Sequence, residues 1–262
     1  MASGAARKQW IGFPGAPSTE YFTFVSRFYT TKTQETQVGQ IGIKVYHDKI
    51  GYTTFLNISP SFSYSLRMYN DWRINFGVAY KIQNISYDFS MANTEEERDP
   101  TLDGIETKWG GNNADFGIEF ISNYVVLGVS SQNLMSLFNN QNNLQTNTNF
   151  LYGMYKKEID SFLSLLLGIC AIKNENIYQG EINVSGVVRT KNLPVFQLGF
   201  FYRTTKEIGA LFGVDLSKTV RLAVSYDYHV GDISHSSFGT PEILLLWKFG
   251  KLENCDCESL FK

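Results

Sequence analysis

The chain has 262 residues, a formal net charge of −2, 15% aromatic residues, 22 glycines and only six prolines. This composition favours β-structure, and the weak net charge gives no electrostatic basis for binding nucleic acid. No window approaches the roughly 18 consecutive apolar residues of a transmembrane helix, so the chain could enter a membrane only as a closed barrel.

The segment up to Trp10 is predicted to be the first strand. It lacks the hydrophobic core of a secretory signal, so either the protein is cytoplasmic or the sequence begins downstream of its natural start. Glycines and prolines that follow predict a compact outer loop, with three large apolar side chains able to fold over a barrel mouth. The loop residues are Gly12, Pro14, Gly15 and Pro17, and the apolar ones are Trp10, Ile11 and Phe13. Two interpretations stay open, a structural cap and a contact surface for a partner.

The longest regular pattern begins at Leu56. Apolar and polar residues alternate from Leu56 to Leu66 and again from Arg73 to Gln83. Strict period two predicts strands with one apolar and one polar face, and about ten such residues can cross a membrane when tilted. Two irregularities interrupt it. Pro60 predicts a bulge or an early strand end, and the change in parity of the apolar positions near Asn84 predicts a bulge.

The same alternation predicts strands along the rest of the chain. They are the start to Trp10, Thr19 to Thr30, Val38 to His47, Asn113 to Ser122, Tyr124 to Ser131, Asn149 to Lys156, Ser161 to Ile172, Tyr178 to Thr190, Val195 to Thr204, Glu207 to Ser217, Val220 to His229 and Pro241 to Phe249. With the two strands above, about 14 result, an even number like that of bacterial outer-membrane barrels. The predicted fold is an all-β, antiparallel, up-and-down transmembrane barrel.

Predicted connection lengths agree with a barrel whose termini are both periplasmic. The three longest connections, 90–111, 132–148 and 230–240, all fall on the outer side. The periplasmic connections are short throughout, as in outer-membrane barrels.

Charged residues fall on one face of the predicted strands. The predicted lumen row holds Arg27, Lys44, Arg67, Arg73, Lys81, Arg189, Arg203, Arg221, Lys248, Asp115, Glu119, Glu181, Glu207, Asp215, Asp227 and Glu242. Nearly balanced charge favours an internal salt-bridge network over an ion-selective porin, although a channel stays open as the alternative. A soluble β-sandwich or lipocalin-like fold, with the apolar row inside, shows the same periodicity.

One strand, Ser161 to Ile172, is apolar on both faces. It predicts either a lumen wall packed by a plug or loop, or a docking surface for a partner. The three cysteines, Cys170 in this strand and Cys255 and Cys257 in the polar tail, argue against a disulfide framework. We expect the tail, 250–262, to be a disordered end, and contact with a partner is the alternative.

No catalytic, metal or cofactor site is predicted. The histidines His47, His229 and His235 lack ligand spacing, and no glycine-rich phosphate loop occurs. The acidic run from Glu95 to Asp99 is expected to be a solvated loop, with a hard-cation site as the alternative.

Several segments carry a family resemblance. The stretch from Arg7 to Thr19 resembles the opening signature of the PorP/SprF family, Arg-x-Gln-Trp-x-Gly-φ-x-Gly-Ala-Pro-x-Thr. Further similarity lies at His47 to Gly51, Asn113 to Gly117, Tyr226 to Tyr228 and Thr240 to Phe249. The residues that match the signature, and that we expect to contact a partner if the loop binds one, are Arg7, Gln9, Trp10, Gly12, Gly15, Ala16 and Pro17.

The resemblance implies an outer-membrane component of type IX secretion that is not an enzyme and needs no cofactor. It implies a barrel domain over 1–249 and a periplasmic tail over 250–262, with the N-terminal signal and leader missing from this sequence. The implied partners are membrane lipid, the secretion machinery at the periplasmic face, and secreted surface proteins such as gliding adhesins. The alternative function is a porin or channel for small solutes.

Overall fold

The computed structural model describes residues 1–29, 37–88, 107–138, 145–190, 195–231 and 237–249. These residues form fourteen strands and one short 3-10 helix, Leu134–Leu137. The strands are β1 (Ala2–Lys8), β2 (Ser18–Tyr29), β3 (Gln37–Ile50), β4 (Thr53–Arg67), β5 (Arg73–Tyr87), β6 (Lys108–Ile121), β7 (Val125–Gln132), β8 (Thr148–Glu158), β9 (Leu163–Asn174), β10 (Ile177–Arg189), β11 (Val195–Arg203), β12 (Glu207–Asp215), β13 (Val220–His229) and β14 (Thr240–Trp247). Within these ranges no helix has the length and apolar character needed to cross a membrane.

The strands close into one antiparallel barrel. Each strand pairs with its neighbours in sequence, and β1 pairs with β14 from Ala2↔Trp247 to Arg7↔Glu242. Closure gives every described strand a paired neighbour on both sides, although β6 pairs with β7 only from Phe116 to Ile121. The predicted fold class is confirmed, and every predicted strand corresponds to an observed one with ends shifted by a few residues.

The two predicted bulges are wrong. Strands β4 and β5 keep one register from Thr53↔Tyr87 to Arg67↔Arg73, and pairing is interrupted only beside Pro60, whose ring removes a ladder donor. The change of parity near Asn84 has another cause, since Ile85 points into the barrel and is buried there. Tyr87 also faces inward, where its ring meets that of Trp109 edge to face at 5.0 Å.

The apolar row of the strands lies outside the barrel. Large side chains such as Ile41, Leu127 and Leu198 are 54%, 50% and 55% exposed, whereas Lys81 and Gln83 are 6% and 2% exposed. A soluble barrel or sandwich would show the opposite arrangement. An apolar exterior around a polar interior is the arrangement of a barrel surrounded by lipid.

Strand direction gives the barrel two distinct ends. We call the end that carries Met1 and Phe249 the termini end, and the opposite end the loop end. The three longest connections, those between β5 and β6, β7 and β8, and β13 and β14, are all at the loop end. The predicted alternation of connection lengths is therefore confirmed for the longest ones.

The predicted lumen-facing charges that lie in strands all point inward, and many are paired. Lys81 binds Asp115 at 2.9 Å, and Arg221 binds Asp215 at 3.1 Å. Arg7, Asp48 and Lys156 also face the lumen, although the periodicity did not single them out. The interior is held by ion pairs and hydrogen bonds, as the balanced charge predicts.

Candidate functional site: the signature loop and the polar lumen

Residues 9–17, the signature loop, join β1 to β2 at the loop end. The backbone N–H of Gln9 donates to the carbonyl of Pro17 at 2.9 Å and closes the loop. Inside it, the N–H of Phe13 donates to Trp10 at 3.1 Å, and the N–H of Ala16 donates to Phe13 at 3.2 Å. The loop is therefore a compact, internally bonded unit, as its glycines and prolines predict.

Glycine is required where the loop meets the β3–β4 turn. Gly12 and Gly15 have φ of 105° and 72°, in the region that side chains with a Cβ rarely adopt. The N–H of Gly51 donates to the carbonyl of Gly15 at 2.9 Å, and a Cβ on Gly15 would lie 3.2 Å from the Cα of Gly51. Two segments that carry the family resemblance are thus in direct contact.

The loop also binds the connection between β13 and β14. The N–H of Ile11 donates to Gly239 at 3.0 Å, and the N–H of Phe238 donates back to Ile11 at 2.7 Å. The N–H of Trp10 donates to the hydroxyl of Thr240 at 3.2 Å. The signature loop therefore holds the beginning and the end of the barrel together.

Arg7 lies below the loop on the inner wall, in a cluster of five charges. Its Nη2 binds Asp227 Oδ2 at 3.1 Å, and Arg203 binds the same oxygen at 2.7 Å. Arg203 also binds Glu181 at 2.7 Å and Glu207 at 3.2 Å. Because Asp227 is buried and shared by both arginines, the cluster links β1 to β10, β11, β12 and β13.

A cavity of about 650 Å³ opens beside Arg7, between β14 and β3. Its wall is mostly polar and includes the predicted residues Gln9 and Pro17 together with Lys44, Tyr46 and Glu242. The cavity therefore presents both signs of charge to whatever occupies it.

The described residues of the connection between β7 and β8, 133–138 and 145–147, bind side chains of the inner wall. We call them the lumen segment. Asn133 has a left-handed backbone with φ of 57°, its N–H donates to Asp115 Oδ1 at 2.9 Å, and Lys81 Nζ donates to its Oδ1 at 2.8 Å. The N–H of Met135 donates to Asn113 Oδ1 at 3.0 Å.

A second set of contacts fixes the other part of the lumen segment. Gln145 Oε1 accepts from Gln83 Nε2 at 2.8 Å and from Asn57 Nδ2 at 3.3 Å. Asn57, Gln83 and Asn113 are all buried, so the lumen segment covers the inner wall of β4, β5 and β6. The strand pattern did not predict this contact, because a connection without periodicity gives no sign of folding inward. The uncharged amides on the lumen row, Asn57 and Gln83, were the available signal.

The apolar strand, now β9, is packed on its inner face. Ser164 and Leu166 point inward and are buried, and Arg189 Nη1 donates to Ser164 Oγ at 2.7 Å. The inner face is thus buried against a neighbouring strand, and packing by a plug or loop and docking of a partner both stay predictions. Cys170, in the same strand, is a free cysteine.

The two described histidines, His47 and His229, are not brought together. His47 faces outward beside Glu20, with Nδ1 3.8 Å from Oε2, and His229 lies on the inner wall. The described residues contain no group of three or more histidine, cysteine, aspartate or glutamate side chains that could hold a metal ion. His235, the acidic run from Glu95 to Asp99 and the tail 250–262 lie outside the described residues.

All five segments that carry the family resemblance have residues in the loop-end half of the barrel. Gly15 meets Gly51, Arg7 meets Asp227, and Trp10 meets Thr240. Four of the five segments are therefore linked through the signature loop and Arg7. Asp115, in the segment from Asn113 to Gly117, binds Lys81 and the lumen segment instead.

Comparison with known proteins gives a match along almost the whole chain. A family model described as "Type IX secretion system membrane protein PorP/SprF" matches residues 2–247. A search of curated proteins finds no match.

Solved structures share the fold at low sequence identity. The Ralstonia pickettii toluene transporter TbuX is 9% identical, with a TM-score of 0.51 over 95% of this chain and 88% of that chain. The CymD monoaromatic hydrocarbon channel is 8% identical, with a TM-score of 0.56 over 95% of this chain and 88% of that one. The Acinetobacter baumannii outer membrane protein Omp33 is 7% identical, with a TM-score of 0.51 over 95% and 96%. These likenesses show an outer-membrane barrel fold and nothing about solutes.

Proposed function

Because this chain belongs to the PorP/SprF family of type IX secretion system membrane proteins, we propose that it supports export or surface anchoring of secreted proteins, including gliding adhesins. It is an outer-membrane barrel and a membrane component of that system. We propose that it acts without catalysis, through binding to the secretion machinery and to secreted proteins.

Polar contacts along the inner wall support a binding role over a transport role. The lumen segment covers the inner wall of β4 to β6, and the charged cluster around Arg203 occupies the wall of β10 to β13. Passage of a folded or extended protein would break one of these two sets of contacts. Buried polar groups such as Gln83 would then lack hydrogen-bond partners, which raises the free energy of the barrel. Cargo that engages this barrel therefore meets its rims rather than its centre.

The outer side of the signature loop supports a contact with a secreted protein. Phe13 is 42% exposed, and Phe238, bonded through its backbone to Ile11, is 75% exposed. Two aromatic side chains held on a rigid, hydrogen-bonded base are the kind of feature that anchors protein interfaces. We propose that Phe13 and Phe238 contact the secreted partner, while Arg7, Gln9, Gly12 and Gly15 hold them in place.

Deletion of the gene, followed by surface proteomics and a spreading assay on agar, tests the secretion role. We expect loss of particular secreted proteins from the surface and reduced spreading, restored by the wild-type gene. Normal surface display and spreading in a strain that also lacks any paralogous gene would refute the proposal.

A double variant separates the loop contact from barrel assembly. Phe13→Ser with Phe238→Ser should insert normally yet fail to restore surface display. The control is Ile177→Ser, at the start of β10 on the same end of the barrel, where the side chain is 71% exposed. Full rescue by the double variant would contradict a partner contact at the signature loop.

The cavity of about 650 Å³ favours a second candidate function, a porin or channel for small solutes. Its polar wall, with Lys44 and Glu242, would suit a hydrated path for small molecules. Purified protein in planar bilayers decides between the two, because a channel must pass ions or small solutes. Silent bilayers would exclude this candidate.

A further inference from the structure

Cations collect on the inner wall at the termini end of the barrel. Strand registers show that the arginines near this end of β2, β4, β5, β10 and β13 point into the lumen. Lys248 follows β14, and its backbone N–H donates a 2.8 Å hydrogen bond to the carbonyl of Thr219. We call this group the basic rim: Arg27, Arg67, Arg73, Arg189, Arg221 and Lys248.

Carboxylates on the same part of the described inner wall are fewer, and each is engaged. Asp215 binds Arg221 at 3.1 Å, and Glu158 binds Lys156 at 2.8 Å. Glu119 accepts from Tyr152 at 2.8 Å and from an amide on β5 at 3.2 Å. The loop-end half differs, since Arg7 and Arg203 there face three carboxylates. Among the described residues of this inner wall, positive charge is therefore in excess at the termini end.

Geometry of the basic rim fits an extended anionic ligand. Arg67 and Arg73 are directly opposite one another across β4 and β5, so two guanidinium side chains lie side by side on this wall. Arg189, on β10, lies five strand spacings from Arg73, or about 24 Å along the wall. A single small anion cannot span that distance. Lipid headgroups cannot reach it either, because these side chains point into the lumen.

We propose that the basic rim binds an acidic peptide segment of a protein partner at the termini end. Guanidinium groups bind carboxylates with two parallel hydrogen bonds, so arginines spread over several strands can follow successive acidic side chains. That this partner is a component or cargo of type IX secretion rests on the proposed function. That the basic rim binds an acidic peptide rests only on the charges and geometry of the rim.

Binding of a defined probe to the folded, full-length barrel tests the proposal. The probe is a fluorescent decaglutamate peptide, titrated in detergent micelles at low salt and followed by anisotropy. The rim variant is R67Q with R73Q and K248Q. The control variant, K8Q with K49Q and K173Q, removes the same number of charges near the loop end.

We expect the wild-type and control proteins to bind decaglutamate equally, and the rim variant to bind roughly tenfold more weakly or worse. Raising the salt concentration should weaken binding by the wild-type protein. No binding by the wild-type protein, or an equal loss in both variants, would overturn the proposal. Complete displacement by inorganic phosphate at matched charge would also overturn it, because it would mean a small-anion site.

A charge-reversal variant distinguishes a loss of peptide binding from a loss of folding. The variant R67E with R73E should lose affinity for decaglutamate and gain affinity for decalysine. Heat-dependent electrophoretic mobility establishes that each variant is a folded barrel. Since no secretion is measured here, a negative result refutes the basic rim as a binding site and leaves the deletion experiment to judge the proposed function.

Discussion

A lysine placed on either face of β5 distinguishes an exterior in lipid from an exterior in water. Val78 points outward, is 50% exposed, and is flanked in register by Phe62 and Phe116. The next residue, Ala79, points into the lumen opposite Asp115. Val78→Lys and Ala79→Lys therefore add the same side chain one position apart on opposite faces.

The position of Val78 sets the size of the effect. It lies about five residues from Arg73, or roughly 17 Å along the strand. With the strand tilted by about 45°, that is about 12 Å along the membrane normal, close to the middle of an apolar band about 25 Å tall. A lysine at that depth costs about 2–4 kcal/mol, or a factor of roughly 30 to 1,000 in the folding equilibrium. Ala79→Lys should change the free energy of unfolding by less than about 1 kcal/mol, because its ammonium lies beside a carboxylate.

Equilibrium unfolding of protein inserted into lipid vesicles measures both variants. Tryptophan fluorescence and heat-dependent electrophoretic mobility report the folded fraction across a denaturant titration. Equal losses in the two variants would refute the assignment of faces. A larger loss for Ala79→Lys would mean that the apolar row faces inward.

Three further predictions concern the loop end and the lumen. Gly239→Ala should cost about 1–3 kcal/mol in unfolding free energy, since φ is 93° and a Cβ would lie 2.8 Å from a backbone oxygen, whereas Gly186→Ala, with nothing within 4 Å of the added Cβ, should change little. Asp227→Asn should cost about 3 kcal/mol by weakening the carboxylate contact of two arginines, and the exposed Asp71→Asn should cost almost nothing in the same titration. Asn133→Ala should raise ion conductance in planar bilayers above the wild-type level, because it releases the lumen segment from Lys81, and unchanged conductance would show that this contact does not restrict the lumen.

Strand positions and faces were predictable because a membrane barrel repeats one local rule. Ile41, Val78 and Leu198 each face lipid for the same reason, so period two identifies them without tertiary information. The rule failed at Ile85, where the inner wall packs against other parts of the chain and accepts an apolar side chain. It also failed at Pro60, since a missing donor can interrupt a ladder without changing its register.

The candidate site was predictable only in its local part. Gly12 and Gly15 predict a tight turn from their own conformational freedom, and the structure contains it. The partners of the turn, Gly51 and Gly239, are distant in sequence and meet the loop only after the strands between them have paired. The inward course of the lumen segment depends likewise on amides presented by other strands.

The bonds of the signature loop have a consequence for assembly. Sliding β1 along β14 by two residues would keep every side chain on its proper face, so the alternating pattern alone does not reject that error. The same slide would separate Ile11 from Gly239 and Arg7 from Asp227. Strand β14 therefore has one correct register against β1, and the bonds of the signature loop stabilise that register when the barrel closes. A barrel that closed in the shifted register would lack these bonds, so the pairing of β1 with β14 would separate more easily and form again in the correct register.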